Sequence, residues 1–258
     1  MNYIGIDIGS TCAKTVVLNE KKEIIQEFVQ PTGWSSVDTA EEIRQKLELN
    51  GINLSEDSSC CVATGYGRIS VPYADKTVTE ITCHALGAVH LFQQPDLTVI
   101  DIGGQDTKII QIEQGFVKDF IMNDKCAAGT GRFLEVMANT LSLRPNEMFD
   151  LARLGSDTTI SSMCTVFAES EVIGLIGKGE PKENIAYAVV NSTIRKVAAQ
   201  VSRMNGEMST FCLTGGLCEC DYIREALSKE LGNEVISCPD ARYAGAIGAA
   251  LSAMKIQR

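Results

Sequence analysis

The sequence predicts an α/β protein with two similar domains, and three observations support this fold class. Asp7-Ile8-Gly9-Ser10 returns later in the chain as Asp101-Ile102-Gly103-Gly104, and each copy ends an apolar run. Each copy also leads into a second apolar segment, as the turn of a β-hairpin does. A third glycine loop, Thr214-Gly215-Gly216, follows another apolar run. The internal repeat indicates a duplicated domain, and 258 residues with 45% hydrophobic content suffice for two medium cores.

The first part of the chain alternates between strand and helix patterns. Short apolar runs between turn residues predict strands, and longer amphipathic patterns predict helices. The turns are at Gly9-Ser10-Thr11 and Lys22-Glu23. The predicted strands are 3–8, 15–18, 24–30 and 60–63, and the predicted helices are about 38–49 and 80–92.

The second part opens on the repeated motif and then becomes mostly helical. Strands are predicted at 97 to about 102, 107–112, 115–121, 210–213 and 234–237. Helices are predicted at 126–141, about 146–154, 167–178, about 182–204, between the last two strands, and from Tyr243 to Ala253. We therefore expect one domain of residues 1–95 plus about 243–258, and a second of residues 96–242.

Charge and hydropathy exclude several classes of partner. The formal net charge of −10 argues against nucleic acid and anionic membranes as partners. No uncharged apolar run reaches the length of a membrane span, and the first residues lack the pattern of a signal peptide. We expect a soluble cytoplasmic protein.

Ten cysteines are present, and no two of them form a C-x-x-C pair. This spacing excludes a zinc ribbon, a thioredoxin-type motif and a ferredoxin-type run. Because disulfides are disfavoured in the cytoplasm, the thiols indicate metal binding, redox chemistry or burial. Cys218 and Cys220 either bind a metal or pack beside the third glycine loop. The other residues interpreted as structural are Cys12, Cys60, Cys61, His84 and His90.

The segment from Cys126 to Leu141 combines an amphipathic helix with two glycines. Its apolar stripe consists of Leu134, Met137, Ala138 and Leu141. Gly129 and Gly131 each cost a helix about 1 kcal/mol relative to alanine, which favours close backbone approach as their reason. Cys126 would lie at or just before the first turn, where the helix dipole stabilises a thiolate or a bound anion. The alternative is a small buried cysteine.

The three glycine loops are the candidate nucleotide site. Consecutive backbone N–H groups in such turns form nests that bind phosphate. The predicted phosphate-binding residues are Gly9, Ser10, Thr11, Gly103, Gly104, Gly215 and Gly216. Asp7 and Asp101 suit a Mg²⁺ that keeps several waters and bridges phosphates. We expect the loops to converge on a nucleotide in a cleft between the two domains.

These loops resemble those of the actin, sugar-kinase and heat-shock chaperone ATPase superfamily. Residues 126–135 and 242–251 are similar to its two connecting helices. Within the superfamily, the segments 123–131 and 163–171 resemble the activator ATPases of 2-hydroxyacyl-CoA dehydratases, which are related to the ATPase subunits of benzoyl-CoA reductases. The two segments read Asn-Asp-Lys-Cys-Ala-Ala-Gly-Thr-Gly and Met-Cys-Thr-Val-Phe-Ala-Glu-Ser-Glu. The fold expected from the resemblance is two duplicated actin-like, ribonuclease H-like domains around a nucleotide cleft.

The resemblance also implies a cofactor and partners. Family members are homodimers that share one 4Fe-4S cluster, held by two cysteines from each subunit. By motif match these are Cys126 and Cys164. An isologous dimer doubles two thiolates to the four that such a cluster requires. The implied activity is ATP-driven transfer of a low-potential electron to a dehydratase or reductase partner, with ferredoxin or flavodoxin as the donor.

Within this interpretation the site residues have separate roles. Asp7 and Asp101 order Mg²⁺ and its waters, and Gln105 positions the attacking water near the γ-phosphate. Lys14 and Lys108 either contact phosphate or are exposed lysines. Closure of the domains on ATP would alter the helix of residues 126–141 and hence the cluster.

Two other functions remain open from the sequence. A small-molecule kinase of the same superfamily would use Asp124 as general base for a hydroxyl group, but it would leave Cys126 and Cys164 without a role. The third possibility is a nucleotide-switched scaffold that resembles the filament-forming relatives. Protein purified without oxygen should be brown for the iron–sulfur activator and colourless for the other two.

Overall fold

The computed structural model describes residues 1–54, 58–161, 164–204 and 210–256. The chain forms two compact units. Unit 1 comprises Met1–Val99, Ile110–Asp119 and Cys238–Arg258, and unit 2 comprises Ile100–Ile109 and Phe120–Ser237. In the described ranges, no helix is both long enough and apolar enough to cross a bilayer.

The first sheet contains five strands in the order β3-β2-β1-β4-β5. The strands are β1 (Asn2–Ile8), β2 (Cys12–Leu18), β3 (Ile24–Pro31), β4 (Ser59–Thr64) and β5 (Lys76–Thr77). The central β1 pairs antiparallel with β2 and parallel with β4, and this register places Lys14 and Thr64 on either side of Asp7. The short β5 was not predicted, because a two-residue edge strand carries too few residues for a periodic signal.

Helices cover this sheet on both faces. They are α1 (Ser36–Leu49) and α2 (Glu80–Phe92), and a later helix, Ala244–Ala253, belongs to the same unit. Ile4, Ile6 and Ile8 share one face of β1, since alternate residues of a strand point the same way, and they pack against Ile43 and Leu47 of α1. A second apolar cluster joins β2 to the C-terminal helix.

The second sheet has the order β10-β9-β6-β7-β8. Its strands are β6 (Leu97–Ile102), β7 (Thr107–Glu113), β8 (Phe116–Asn123), β9 (Thr210–Gly215) and β10 (Val235–Ile236). Read from β8, this is the order of the first sheet: a three-stranded meander followed by two crossover strands. The duplication inferred from the two Asp-Ile-Gly motifs therefore extends to the whole strand order.

The remaining α-helices of the described residues are α3 (Gly131–Thr140), α4 (Pro145–Ala152), α5 (Thr165–Gly177), α6 (Lys182–Val201) and α7 (Asp221–Leu231). The later helix of unit 1 is α8 (Ala244–Ala253). The prediction that a helix begins at residue 126 was wrong, since α3 begins at Gly131. Gly129 has φ +86° and Thr130 is extended, and neither conformation belongs to an α-helix.

The resemblance matched residues 126–135 and 242–251 to the two connecting helices of the superfamily, and this match stays a prediction. The close partner of α8 is α2, whereas α3 packs mainly on α5 and α6. The α2–α8 crossing depends on two glycines, because a β-carbon on Gly87 would overlap the carbonyl oxygen of Ala244, and one on Gly248 would overlap that of Cys83. The sequence showed only that residues 245–253 are rich in Ala and Gly; it did not identify the partner.

We expect Gly248→Ala to lower the free energy of unfolding by about 1–3 kcal/mol, because the added methyl group forces two backbones apart. Urea unfolding followed by circular dichroism measures the change. Gly174→Ala is the matched control: Gly174 is exposed in α5, and a β-carbon there meets no atom within 4 Å. Equal stabilities of the Gly248→Ala variant and the wild type would show that the helix crossing tolerates a wider spacing.

Candidate functional site

In unit 1, the end of β1 forms the first copy of the predicted phosphate loop. The N–H of Gly9 donates to the carbonyl oxygen of Cys12 at 3.1 Å, which closes a tight turn with Ser10 and Thr11 exposed at its tip.

Asp7 is 5% exposed. Its carboxylate lies between two glycines, since a β-carbon on Gly65 or on Gly245 would be 2.5 Å from an Asp7 oxygen. Lys14 is half-buried on β2.

Unit 2 repeats this arrangement at the end of β6. The N–H of Gly103 donates to the carbonyl oxygen of Asp106 at 2.9 Å, and Gln105 is exposed at the tip of the turn. Asp101 is 2% exposed. A β-carbon on Gly215 would lie 2.7 Å from its carboxylate oxygen Oδ1. Asp7 and Asp101 therefore share one feature: each is a buried carboxylate beside a glycine at the end of a neighbouring strand.

The glycines beside the two aspartates reveal a part of the repeat that the sequence reading missed. Gly65 follows Thr64 at the end of β4, and Gly215 follows Thr214 at the end of β9; the two glycines have φ +88° and +83°. The Thr214 hydroxyl donates to Asp101 Oδ1 at 3.1 Å. A Thr-Gly pair after an apolar run occurs in both halves, and this signal could have identified Gly65 as the counterpart of Gly215.

Lys108 is the charged centre of the unit 2 loop. It is 3% exposed, and its Nζ lies 3.2 Å from Asp101 Oδ2 and 2.7 Å from Asp106 Oδ2. The alternative of an exposed lysine is therefore wrong for this residue. The Lys108–Asp101 pair joins two charges that are each 4% exposed, so separating them would leave a buried carboxylate without its ion pair, and this holds the two side chains together.

The same loop is bonded directly to the start of α3. The N–H groups of Gly131 and Arg132 donate to the carbonyl oxygens of Gly103 and Gly104, at 2.9 and 2.7 Å. Gly131 permits this approach, since a β-carbon there would lie 3.1 Å from the Gly103 oxygen. The prediction that these first-turn N–H groups face a thiolate or an anion is therefore corrected: the loop carbonyls occupy them.

Cys126 lies in the loop between β8 and α3, and hydrogen bonds fix the path of that loop. Asn123 Nδ2 donates to the carbonyl oxygens of Cys126 and Ala128, at 2.8 and 3.0 Å. The Thr107 hydroxyl donates to the carbonyl oxygen of Gly129 at 2.6 Å. The Cys126 side chain remains exposed. The loop thus presents a thiol at the surface while its backbone is bonded to β7, directly beside Lys108.

Cys164 is the residue before the first turn of α5, and it is also exposed. Met163, the preceding residue of the predicted motif, lies outside the described residues. The first turn of a helix carries N–H groups without an intrahelical partner and the positive end of the dipole, which favour a thiolate nearby. The predicted proximity of a helix N-terminus to a cysteine therefore holds for Cys164 rather than for Cys126.

The other eight cysteines are buried or half-buried, and none of the ten is in a disulfide. Burial raises the pKa of Cys83 to about 12, and it also raises the pKa of Cys61, Cys220 and Cys238. A raised pKa disfavours the thiolate that metal binding requires. In the described part of the chain, no three His, Cys, Asp or Glu side chains come together as a metal site, so Cys218 and Cys220 have no third ligand there.

The donor sets fit the two groups that the family resemblance implies. One chain offers two exposed thiols, Cys126 and Cys164, and a second copy would supply the other two that a 4Fe-4S cluster needs. Asp7 and Asp101 offer carboxylate oxygens beside glycine turns, which suits Mg²⁺ held by few protein ligands together with phosphate oxygens and water.

Asp124 does not have the surroundings of a general base. It is exposed, and a hydrogen bond from the neighbouring Lys125 ammonium group, 2.8 Å away, lowers its pKa. A carboxylate that must accept a proton from a hydroxyl group works best when its pKa is raised toward neutrality. This geometry weakens the kinase alternative.

Known proteins resemble this chain over nearly its full length. The pattern of the BadF/BadG/BcrA/BcrD ATPase family matches residues 4–253. The (R)-2-hydroxyglutaryl-CoA dehydratase activating ATPase of Acidaminococcus fermentans is 44% identical over 257 residues, which cover 98% of this chain and 96% of that protein.

Two solved structures share the fold. The crystal structure of A. fermentans (R)-2-hydroxyglutaryl-CoA dehydratase component A has a TM-score of 0.91 and 41% identity, and covers 99% of this chain and 98% of its own. The activator of the 2-hydroxyisocaproyl-CoA dehydratase from Clostridium difficile, with bound ADPNP, has a TM-score of 0.88 and 33% identity, covering 100% and 99%. The predicted fold class of duplicated actin-like α/β domains is confirmed. The chain belongs to the BadF/BadG/BcrA/BcrD ATPase family.

Proposed function

We propose that this protein is an ATP-hydrolysing activator that passes a low-potential electron to a 2-hydroxyacyl-CoA dehydratase or a related reductase. The named activities of the relatives support the reaction class. The paired phosphate loops support ATP binding, and the two exposed cysteines support an iron–sulfur group. Ten cysteines outside disulfides agree with a reducing compartment, so we place the protein in the cytoplasm.

ATP and ADP would be bound through the phosphate loops. The turns that contain Gly9, Ser10, Thr11, Gly103 and Gly104, with Gly215 and Gly216, are the proposed phosphate and nucleoside contacts. The N–H groups of Gly9 and Gly103 close their own turns, so other N–H groups of these loops would donate to phosphate. Asp7 and Asp101 would order Mg²⁺ and its waters. Gln105, exposed at the tip of its turn, would position the attacking water. Because its two ion pairs hold Lys108, we assign it the positioning of Asp101 and Asp106, and we leave the direct phosphate role to Lys14.

Cys126 and Cys164 from each of two subunits would hold one shared 4Fe-4S cluster. The surface beside Cys164 supports a homodimer, because large apolar side chains of α5 are exposed: Val166, Phe167, Ile173 and Ile176, at 47–68%. Exposed apolar area of this kind marks an interaction surface. A 4Fe-4S cluster supplies one-electron chemistry at low potential, and ferredoxin or flavodoxin is the proposed electron donor.

The observation that carries the proposal is the backbone connection between the phosphate loop and the Cys126 loop. Gly103 and Gly104 accept hydrogen bonds from Gly131 and Arg132, and Thr107 bonds to Gly129. A change in the loop that binds phosphate therefore alters the positions of backbone atoms only a few residues from Cys126. By thermodynamic linkage, binding of ATP or ADP must then alter the surroundings of the cluster, and a change at the cluster must alter the affinity for the nucleotide.

Chelation of the cluster iron should be much faster with Mg-ATP bound than with ADP or no nucleotide. Bathophenanthroline absorbance, followed anaerobically, measures the rate. Gly131→Val should reduce this difference, because a β-branched side chain cannot fit where a β-carbon would already be 3.1 Å from the Gly103 oxygen. The matched control is Glu135→Val, one turn later at an exposed position of α3.

Equal chelation rates in all nucleotide states would contradict the coupling and leave the cluster as a link between subunits only. A nucleotide-dependent rate that persists in Gly131→Val would instead place the connection elsewhere in unit 2. Colourless protein from an anaerobic preparation would favour the two alternatives, the kinase and the nucleotide-switched scaffold.

A further inference from the structure

Unit 2 contains a cavity of about 190 Å³ that none of the proposed roles uses. It lies between the second half of α6, the start of α3 and the segment before α5. Its apolar wall includes Ala128, Phe133 and Ile160. None of its lining residues belongs to a phosphate loop, and Gly129 and Ser161 place its rim beside the segments that carry Cys126 and Cys164.

Gln200 brings an amide group to this cavity without a partner for it. Its side chain is 4% exposed, and among the described residues neither the amide oxygen nor the amide nitrogen has a hydrogen-bond partner. The Nε2 atom would lie 3.8 Å from a β-carbon on Gly129. A buried amide with both groups unsatisfied is destabilising, and a turn of this side chain toward the cavity would let a ligand complete its hydrogen bonds.

The charges around the cavity are all positive. Arg195, Lys196 and Arg203 line it, and no acidic side chain does. In the described ranges, none of the three forms an ion pair. The stem of Lys196 packs on the Cys126 loop, since its Cγ lies 2.8 Å from the position of a Gly129 β-carbon. Three unpaired cations together are unusual on a protein with a net charge of −10, and they favour an anion.

We propose that this cavity binds a small organic anion: an apolar or aromatic body against Phe133 and Ile160, with a carboxylate or phosphoryl group facing Arg195 and Lys196. The Gln200 amide would donate a hydrogen bond to the polar part of the ligand and accept one from it. A ligand paired with Lys196 would also contact the segment that positions Cys126. The ligand would therefore lie next to the loop that carries Cys126, the residue assigned to the cluster in the proposed function.

The test uses anaerobically purified protein saturated with Mg-ADP, so that the phosphate loops are filled. Phenyl phosphate and phenylacetate are titrated by calorimetry, with inorganic phosphate as the anion alone and phenol as the ring alone. We expect one site per chain for at least one of the two ring-bearing anions, with a dissociation constant below about 1 mM. Whichever of phenyl phosphate and phenylacetate binds more tightly identifies the preferred anionic group. Inorganic phosphate and phenol should each bind at least about tenfold more weakly than that compound.

Two variants connect the binding to these residues. Arg195→Gln combined with Lys196→Gln should weaken binding at least about tenfold, whereas Lys182→Gln, an exposed lysine at the other end of α6, should leave it unchanged. Gln200→Leu should weaken binding yet raise the unfolding temperature by about 2 °C or more, because the unsatisfied amide is removed.

Three results would overturn the proposal. One is the absence of saturable binding of both ring-bearing anions, and another is undiminished binding in the double variant. Inorganic phosphate binding as tightly as phenyl phosphate would also contradict it, since the apolar wall would then contribute nothing.

Discussion

Replacement of either Cys126 or Cys164 by serine should remove essentially all iron and sulfide from protein purified without oxygen. A serine hydroxyl is a hard donor with a pKa far above that of a thiol, so it does not replace a thiolate on iron. In the proposed homodimer, each substitution would remove two of the four ligands of the shared cluster, because the dimer axis repeats it. The effect is therefore expected to be complete rather than graded.

Iron and acid-labile sulfide analysis, together with the visible spectrum, measures the loss. The wild type should be brown and contain about four irons and four sulfides per two chains. Cys238→Ser is the matched control, because Cys238 is half-buried and belongs to unit 1. Full iron in either cysteine variant, or about four irons per single chain, would contradict the shared cluster.

Gln105→Ala should lower ATP turnover by well over tenfold while nucleotide affinity and iron content stay near those of the wild type. A side chain that orients the attacking water acts mainly in the transition state, so its loss lowers the catalytic rate without weakening ground-state binding. The exposed position of Gln105 at the tip of the turn means that the substitution disturbs no packing.

Phosphate release and equilibrium ADP binding, measured on the same preparation, separate the two effects. Gln45→Ala, an exposed glutamine on α1, controls for the removal of an amide side chain. Unchanged turnover in Gln105→Ala would move the water-positioning role to Asp106, the partly exposed carboxylate paired with Lys108. Loss of ADP affinity in parallel with turnover would instead make Gln105 a binding residue.

Local patterns in the sequence were sufficient for the fold class and for most of the candidate site. The Asp-Ile-Gly repeat, the Thr-Gly-Gly loop and the alternation of apolar runs depend on the conformations of consecutive residues, and such preferences are encoded within a few positions. Strand and helix positions therefore agreed with the structure to within a few residues for most elements. The two cysteine segments could be related to the family because their residues are contiguous.

Contacts between distant segments could be found only in the tertiary structure. Lys108 is adjacent in sequence to a turn, but its burial between Asp101 and Asp106 results from how β6 and β7 pair. Gly131 was expected to allow a close backbone approach, but only the structure identifies the partner, since its N–H donates to the carbonyl oxygen of Gly103. Helix α8 packs closely on α2 because a glycine of each helix faces the backbone of the other, and the Ala/Gly-rich pattern of one helix cannot specify its partner.

The cavity near Gln200 is the clearest example of a feature that sequence patterns cannot predict. Its residues come from α3, α6 and the segment before α5, and nothing in their individual sequence contexts indicates that they share a wall. Periodicity in α6 identifies the face that packs on the core, but Arg195, Lys196 and Gln200 acquire a common role only through the shape of the neighbouring backbone. The sequence alone therefore predicted the duplicated fold and the residue types of its loops. Packing decided which backbone groups connect the loop at Gly103 to the segment of Cys126. The reason is that hydrogen bonds and cavities depend on distances between atoms, and the order of residues does not contain those distances.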